Sequence, residues 1–440
     1  MLSVIWRPEV ESAPREHLAA LQLERLRGAL AWAAARVDFY RRRLTAAGVG
    51  PDGLRSLDDL VRVPFTRKRD LHDHYPFGLF AVPRGDLARV HASSGTRGKP
   101  TIVGYTRGDL DVWREVMARS LAAGGARPGD TIQNAYGYGL FTGGLGFHDG
   151  AEHMGLAVVP ASSGNTLRQI LLLQDLRPQG LACTPSFALH IGESMREQGV
   201  DPRGLGVAYG LFGAEPWTEA MRTHIEALWG ITAVDFYGLS EIIGPGVAVE
   251  CPEGRRGLHV NEDHFLPEIV DPGTGEALPA GREGELVLTG LTRRALPMLR
   301  YRTGDVTALD ASPCPCGRTT VRMARIKGRT DDMLIVKGVN VYPSQVEAGL
   351  LTLDDLGPHY QIVVDRRHEF PTIEVQVEPA ERVVLGWGGF SVGSREVQAL
   401  AGRVGERLRG YLGLNPQVTI VAPKTLPRSE GKAVRVVERT

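Results

Sequence analysis

Lysine is scarce in this chain of 440 residues: Lys68, Lys99, Lys327, Lys337, Lys424 and Lys432 are the full set, and arginine supplies the rest of the 51 basic side chains. A drift of composition toward arginine accounts for the bias, but a chemical need for a primary ammonium resists such drift, so each lysine is a candidate for a specific task. Charge of one sign is lacking too, because Asp and Glu also number 51. No global field therefore draws in nucleic acid or an acidic membrane surface, and an anionic ligand must be held by local groups. Cysteine is limited to Cys183, Cys251, Cys314 and Cys316, too few to staple a chain of this size, which fits a reducing compartment. Long hydrophobic runs are missing, since the most apolar stretches, such as residues 155–161, fall short of the ~20 residues that span a bilayer. The start, MLSVIWRPEVESAPREH, puts acidic residues where a secretory signal needs a basic region and an apolar run. These absences lead to the expectation of a cytoplasmic protein with no nucleic-acid and no membrane partner.

What is present is an ordinary globular composition, with 42% hydrophobic and 23% charged residues, in a chain long enough for one large and one small structural unit. The segment LERLRGALAWAAARVDFYRRRL repeats apolar residues at helical spacing and predicts one amphipathic helix. Short apolar runs at 131–135, 157–159, 206–212 and 233–236 then alternate with helix-like LRQILLLQDL and WTEAMRTHIEALW, the rhythm of a parallel sheet covered by helices. FLPEIVDPGTGEALPAGREGELVLTGL reads as two antiparallel strands joined by turn residues, a β-rich subdomain. Polar GRTDDM interrupts the pattern, and QIVVDRRHEF, TIEVQVEP and SREVQALAGRVGERLRGYL follow as strand, strand and helix. The expected fold class is α/β: a large N-terminal domain of mixed parallel sheets with helices plus the β-rich subdomain over 1–330, and a small mobile C-terminal α/β domain over 331–440.

HASSGTRGKPTIVGYT, residues 91–106, packs Ser93, Ser94, Gly95, Thr96, Gly98 and Lys99 into a few positions after a strand. Small residues let backbone N–H groups approach a polyphosphate, and the hydroxyls add donors. The segment is not a P-loop, because two residues rather than four separate Gly95 from Gly98-Lys99. By itself it reads more readily as a polar turn between strands. The same chain, however, holds FGAEPW (212–217), DFYGLSE (235–241), LRYRTGD (299–305), GRTDDMLIVKGVNVYPSQVE (328–347) and LPRSEGKAVRV (426–436).

In this order the six segments resemble the core motifs of the adenylate-forming superfamily of acyl-CoA synthetases, peptide-synthetase adenylation domains and luciferases. YGYGLFTGGLGFHDGAE (136–152) and GAEPW narrow the resemblance to the phenylacetate-CoA ligase family, over nearly the full chain. The resemblance implies that Ser93, Ser94, Gly95, Thr96, Gly98 and Lys99 close over the ATP phosphates, with Arg97 standing where a second threonine is common. It places Tyr237 against the adenine face, Gly213, Ala214 and Glu215 as the other wall and edge, and Asp235, Gly238 and Ser240 in the same nucleotide site. Glu241 is implied as the acidic group that helps hold Mg²⁺, Asp305 as the acceptor of both ribose hydroxyls, and Arg329 as a further nucleotide contact. Lys432 is implied to neutralise charge between the acid's carboxylate and the α-phosphate as pyrophosphate leaves. For the second step the resemblance implies rotation about Asp331, bringing Lys337, Gly338, Val339 and Tyr342 to line the CoA channel. Tyr136, Tyr138, Gly139, Phe141 and Gly143 are the candidate wall for the acid, where glycines leave room for a flat ring and aromatics give apolar walls. The bland alternatives are core packing for the aromatics and solvated or salt-bridged positions for Arg329 and Lys432.

Outside these motifs, Cys251 with His259 eight residues on, and Cys314-Pro-Cys316 beyond the hairpin, supply three thiolates and an imidazole, the donor set of a closed structural zinc site. His264 is a second candidate imidazole, and reduced, unpaired thiols in turns are the alternative.

The expected function is an AMP-forming ligase that joins phenylacetate or a similar aryl acid to CoA through an acyl-adenylate, using ATP, Mg²⁺ and CoA, with a homodimer implied by the family. The alternatives are another aromatic acid (indoleacetate, benzoate or an aminobenzoate), loading of a carrier protein, or a non-catalytic nucleotide-binding protein on the same fold. The last is disfavoured because Lys432, Asp305 and Glu241 are all present.

Overall fold

A computed structural model describes residues 3–93, 100–330, 334–336, 339–365, 367, 372–430 and 433–439. The chain divides into two units, one of Met1–Cys183, Arg203–Ala214 and Ile231–Arg325, the other of Thr184–Pro202, Glu215–Gly230 and Ile326–Thr440.

The first unit is organised around a nine-stranded sheet. Ala157–Val159, Thr131–Asn134, Gly180–Cys183, Tyr209–Gly213 and Thr232–Leu239 lie side by side in that order and run parallel. Gly244–Glu250 and Leu258–Val260 continue the sheet antiparallel. The strands Gly180–Cys183 and Tyr209–Gly213 are buried throughout, which is why they read as unbroken apolar or small-residue runs rather than as alternating patterns. The expected hairpin is present: Phe265–Val270 pairs antiparallel with Gly284–Gly290, which pairs in turn with Tyr301–Thr307.

The single amphipathic helix expected near the N-terminus is two, Arg15–Arg36 and Asp38–Ala46, broken at Val37. Val37 is buried and extended (φ −121°, ψ 112°), and Asp38 opens the second helix with a carboxylate in its first turn, where the helix dipole favours it. The apolar spacing survives the break, which hides it in the sequence.

In the second unit Leu356–Asp365 and Thr372–Pro379 form an antiparallel pair flanked by the parallel strands Val436–Arg439 and Gln417–Ile420. Helix Arg395–Leu412 places Val397, Leu400, Val404, Leu408 and Leu412 on one buried stripe, starts at a Ser394 cap that accepts from Val397 N, and stops at left-handed Gly413. Val341, Val346, Ile362 and Val375 join that stripe in one core. Among the described residues no helix is long and apolar enough to cross a membrane.

Candidate active site

The parallel strands of the first unit set the place of the site. Thr131–Asn134 lies between Ala157–Val159 and Gly180–Cys183, so the winding of the sheet reverses there. In open α/β sheets such a reversal leaves a crevice beyond the carboxyl ends of the strands, where ligands bind. The carboxyl ends here run into residues 135–141, into Ala214 and into the DFYGLSE segment.

Tyr136 ties that edge together. Its ring is buried, stacked on Phe147 at 5.1 Å and edge-on to Phe236 at 5.8 Å. Its hydroxyl donates to Cys183 O and accepts from Gly213 N at 3.1 Å, joining the ends of three strands. Tyr138 accepts from Asn134 Nδ2 at 2.8 Å and meets His148 Nδ1 at 3.1 Å, and burial pushes its phenol up to about 12. Gly139 adopts φ +118°, and Leu140 and Phe141 are exposed, leaving apolar surface at this edge.

Helix Thr142–Met154 follows, and its glycines serve the packing beneath. A Cβ on Gly146 would stand 2.6 Å from the Trp113 ring, and one on Gly150 would stand 2.2 Å from Met117 Cβ. Helix Arg107–Ala123 carries both partners, so the glycine stripe lets the two helices approach closely. Gly143 is covered by the Phe141 ring, 2.6 Å from its would-be Cβ.

The DFYGLSE and LRYRTGD segments meet directly: Tyr237 Oη donates to Asp305 Oδ2 at 2.5 Å, and Asp305 is buried. Ser240 Oγ lies 3.1 Å from Thr142 Oγ1, and Glu241 is buried beside it. Asp235 faces Arg325 at 3.5 Å, and its backbone N donates to Glu250 at 3.3 Å. Ala214 sits in the left-handed region at φ +68°, a conformation that costs a non-glycine residue roughly 1 kcal/mol or more and tends to mark functional turns.

A family model described as AMP-binding enzyme matches residues 61–292, and one described as AMP-binding enzyme C-terminal domain matches residues 338–440. The chain belongs to the AMP-binding enzyme family. Within the family it is 55% identical to a phenylacetate-coenzyme A ligase of Thermus thermophilus over 99% of both chains. It is 48% identical to the phenylacetate-coenzyme A ligase of Escherichia coli, covering 98% of this chain and 96% of that one. Among solved structures, a 2-hydroxyisobutyryl-CoA ligase in the postadenylation state, in complex with 2-HIB-AMP, superposes with a TM-score of 0.92 at 31% identity, covering 98% of this chain and 92% of that one.

Several motif residues of this AMP-binding enzyme, Ser94, Gly95, Thr96, Arg97, Gly98, Lys99, Asp331, Lys337, Gly338 and Lys432, lie outside the described residues. The glycine-rich segment is bracketed by a hairpin, Arg89–Ala92 paired with Ile102–Tyr105, and Ser93 N donates to Thr101 O at 3.0 Å where it begins. Arg329 lies on the short strand Gly328–Arg329, Val339 opens Val339–Val341, and Tyr342 caps helix Pro343–Leu350. Glu215 accepts from Ser186 N at 2.9 Å and from Ala433 N at 2.7 Å.

The cysteine segments also converge. One donor atom from each of Cys251, His259, Cys314 and Cys316 lies within 4.8 Å of all the others. Cys251 Sγ is 3.5 Å from Cys314 Sγ and 3.8 Å from His259 Nε2, and Cys316 Sγ is 3.4 Å from that same nitrogen. A tetrahedral zinc ion requires S···S and S···N separations of roughly 3.5–3.8 Å, and these three separations fall within about 0.1 Å of that range. Thr320 O, which can only accept, lies 3.2 Å from His259 Nδ1 and so fixes the proton there, leaving the Nε2 lone pair facing the sulfurs. Gly254 makes room for the cluster, since a Cβ there would stand 2.7 Å from Cys314 Sγ. His264 belongs to another network, bonded to Thr292 Oγ1 at 2.8 Å and 3.2 Å from Asp263.

Arg293 escaped the sequence reading. It is buried, and its guanidinium donates to Ile242 O, to Glu241 O at 3.4 Å and to Gly104 O at 3.0 Å, over the face of Tyr105 at 4.4 Å. It thereby pins the turn holding Glu241 to the strand that leaves the glycine-rich segment. A buried arginine beside a strand end leaves no spacing signature in a chain this rich in arginine.

Proposed function

We propose that this chain is an AMP-forming phenylacetate-CoA ligase. The observation that carries the reading is the Tyr237–Asp305 pair at the carboxyl edge of the sheet, in a chain 55% identical to a protein of that name over 99% of its length. In the first step a carboxylate oxygen of the acid attacks the α-phosphorus of MgATP, and the bond to the bridging oxygen breaks so that pyrophosphate leaves with the electron pair. In the second the CoA thiolate attacks the acyl carbon and AMP leaves. Tyr237 offers its ring to adenine and Asp305 its carboxylate to the ribose hydroxyls. Gly213, Ala214, Asp235, Gly238, Ser240 and Arg329 complete the nucleotide site. Glu241 contributes a hard oxygen for Mg²⁺, whose chemistry is to neutralise the phosphates. Ser93 to Lys99 enclose the phosphates, and Lys432 supplies the cation for adenylation. Tyr136, Tyr138, Gly139, Phe141 and Gly143 border the acid. Lys337, Gly338, Val339 and Tyr342 line the CoA path after rotation about Asp331. A homodimer in the cytoplasm belongs to the same proposal.

A panel of acids assayed for AMP release with and without CoA tests it. Phenylacetate should give CoA-dependent AMP at the highest kcat/KM, above indoleacetate, benzoate, an aminobenzoate and aliphatic 2-hydroxyisobutyrate. Preference for the aliphatic acid would overturn the aryl assignment, and no AMP from any of them would overturn the activity.

We also propose that Cys251, His259, Cys314 and Cys316 hold a structural Zn²⁺, on the strength of the donor spacing and the His259 tautomer. All four positions of a tetrahedral ion are then filled by protein, so the site takes no part in the chemistry. Purified protein should carry about one zinc per chain, and chelation should lower its melting temperature. Zinc at background level with every cysteine open to thiol reagents refutes the assignment.

A further inference from the structure

The carboxylate of Glu215 follows the left-handed Ala214 turn and spans two backbone donors far apart in the chain. Oε1 accepts from Ser186 N at 2.9 Å, in the first turn of helix Pro185–Glu197, and Oε2 accepts from Ala433 N at 2.7 Å. First-turn N–H groups of a helix have no partner within it and sit at the positive end of its dipole, so a carboxylate is well matched there. Both oxygens of Glu215 are engaged with main chain.

A second carboxylate repeats the arrangement. Buried Glu347 accepts from Thr218 N at 3.2 Å, at the cap of helix Glu219–Trp229, and from Tyr360 Oη at 3.0 Å. Arg435 lies over the Tyr360 ring at 4.4 Å and 3.9 Å from Glu347. Two acidic side chains thus take hold of one short stretch, Ala433 through its backbone and Arg435 through its guanidinium, and each also takes a donor at the start of a helix. That stretch immediately follows Lys432 in the sequence.

We infer that Glu215 is a positioning residue for the first half-reaction: by anchoring Ala433 to the start of helix Pro185–Glu197 it sets where the adjacent Lys432 can act. The inference rests on the proposed ligase reading and on the role given there to Lys432, and it assigns the Glu215 carboxylate to the lysine-bearing segment rather than to adenine. A contact made through main chain to the neighbour of a catalytic group governs the rate of the step that group serves and leaves nucleotide affinity alone. Glu347, through Tyr360 and Arg435, holds the other side of the same stretch.

The test compares wild type, Glu215→Gln, Glu215→Asp, Lys432→Ala and the Glu215→Gln/Lys432→Ala double variant in two half-reactions: pyrophosphate release from acid and MgATP without CoA, and thioester formation from supplied aryl-adenylate and CoA. Glutamine keeps the shape but turns an N–H toward an N–H, so adenylation kcat should fall roughly 10–100-fold. KM for ATP and the thioester rate should stay within about twofold, the scatter of a conservative exchange. Aspartate, which keeps both acceptors, should recover part of the loss. In the Lys432→Ala background the Glu215→Gln change should cost nothing further, because its effect passes through the missing ammonium. A raised KM for ATP at unchanged kcat, equal loss of both half-reactions in both Glu215 variants, or a further loss in the double variant would each overturn the anchor. Wild type that releases no pyrophosphate with any acid would fail in a different arm, and would remove the ligase reading and the anchor with it.

Discussion

Arg293→Lys isolates the fork that pins the Glu241 turn. The guanidinium reaches Ile242 O and Glu241 O on one side and Gly104 O on the other, across the Tyr105 ring, whose hydroxyl donates to Ile243 O at 2.9 Å. A lysine ammonium is a point donor on a flexible stem and cannot span carbonyls on two elements while lying flat on the ring. One charge-assisted bond lost in a buried site costs about 1.5–3 kcal/mol. A weakened cation–π contact adds about 0.5–1 kcal/mol. The sum corresponds to a melting temperature lower by roughly 5–10 °C in calorimetry, at a few degrees per kcal/mol for a unit of this size. Because Glu241 moves with the turn, KM for MgATP should rise about tenfold, equivalent to about 1.4 kcal/mol of binding. Arg294→Lys is the control: that side chain is exposed and lies over Trp32 at 5.1 Å, and its replacement should leave both readouts alone. Were Arg293→Lys as stable as the control, or less stable with KM for MgATP unmoved, the link from fork to the proposed magnesium ligand would fail.

Acid should unfold the first unit through one buried network. Arg119 forks onto Asp263 at 2.8 and 3.1 Å, with Glu115 and His264 beside it. Burial alone would raise both carboxyls, but His264 and Arg119 together outweigh it and hold Glu115 and Asp263 down to about 2. A carboxyl whose folded value lies below its unfolded one contributes stability above the unfolded value, and that stability is lost as pH falls through the folded one. The loss should therefore run from about pH 4.5 to about pH 2, on the order of 2 kcal/mol per carboxyl. Circular dichroism should show Asp263→Asn with a flatter dependence across that window, and an unchanged slope would count against the assignment. Gly150→Ala should cost about 1–3 kcal/mol by forcing a methyl against Met117, read as a lower denaturation midpoint in urea at unchanged slope. A neutral result would mean that the two glycine-linked helices slide apart freely.

The parts of this protein that were legible in sequence are those whose chemistry is local. The alternating runs announced parallel strands because a strand buried on both faces must be apolar along its length, and the turn-rich segment after residue 264 announced a hairpin because strands so close in sequence pair antiparallel. The break at Val37 was not legible, since both helices keep the same apolar spacing across it. Tyr237 and Asp305 each stood in a recognisable motif, but only the fold brings them to 2.5 Å. The cysteine cluster was readable for the opposite reason to Arg293. Cysteine is so rare here that three of four falling around one hairpin carries information, and the fold draws exactly those three to His259 rather than to His264.

Scarcity, then, set what the sequence could disclose. Three of the six lysines, Lys99, Lys337 and Lys432, fall inside motif segments, which is what retention of a primary ammonium for a task looks like in a chain that otherwise chooses arginine. The residues proposed to hold functional groups in place follow no such rule. Glu215 reaches a backbone N–H 218 positions away, and Arg293 a carbonyl 51 positions away. Their partners are main-chain atoms, which every residue type supplies, so no pattern in side-chain identity marks the contact. A catalytic group is written in its residue type, whereas the group that positions it is written in the path of the backbone, and only the folded chain makes that path readable.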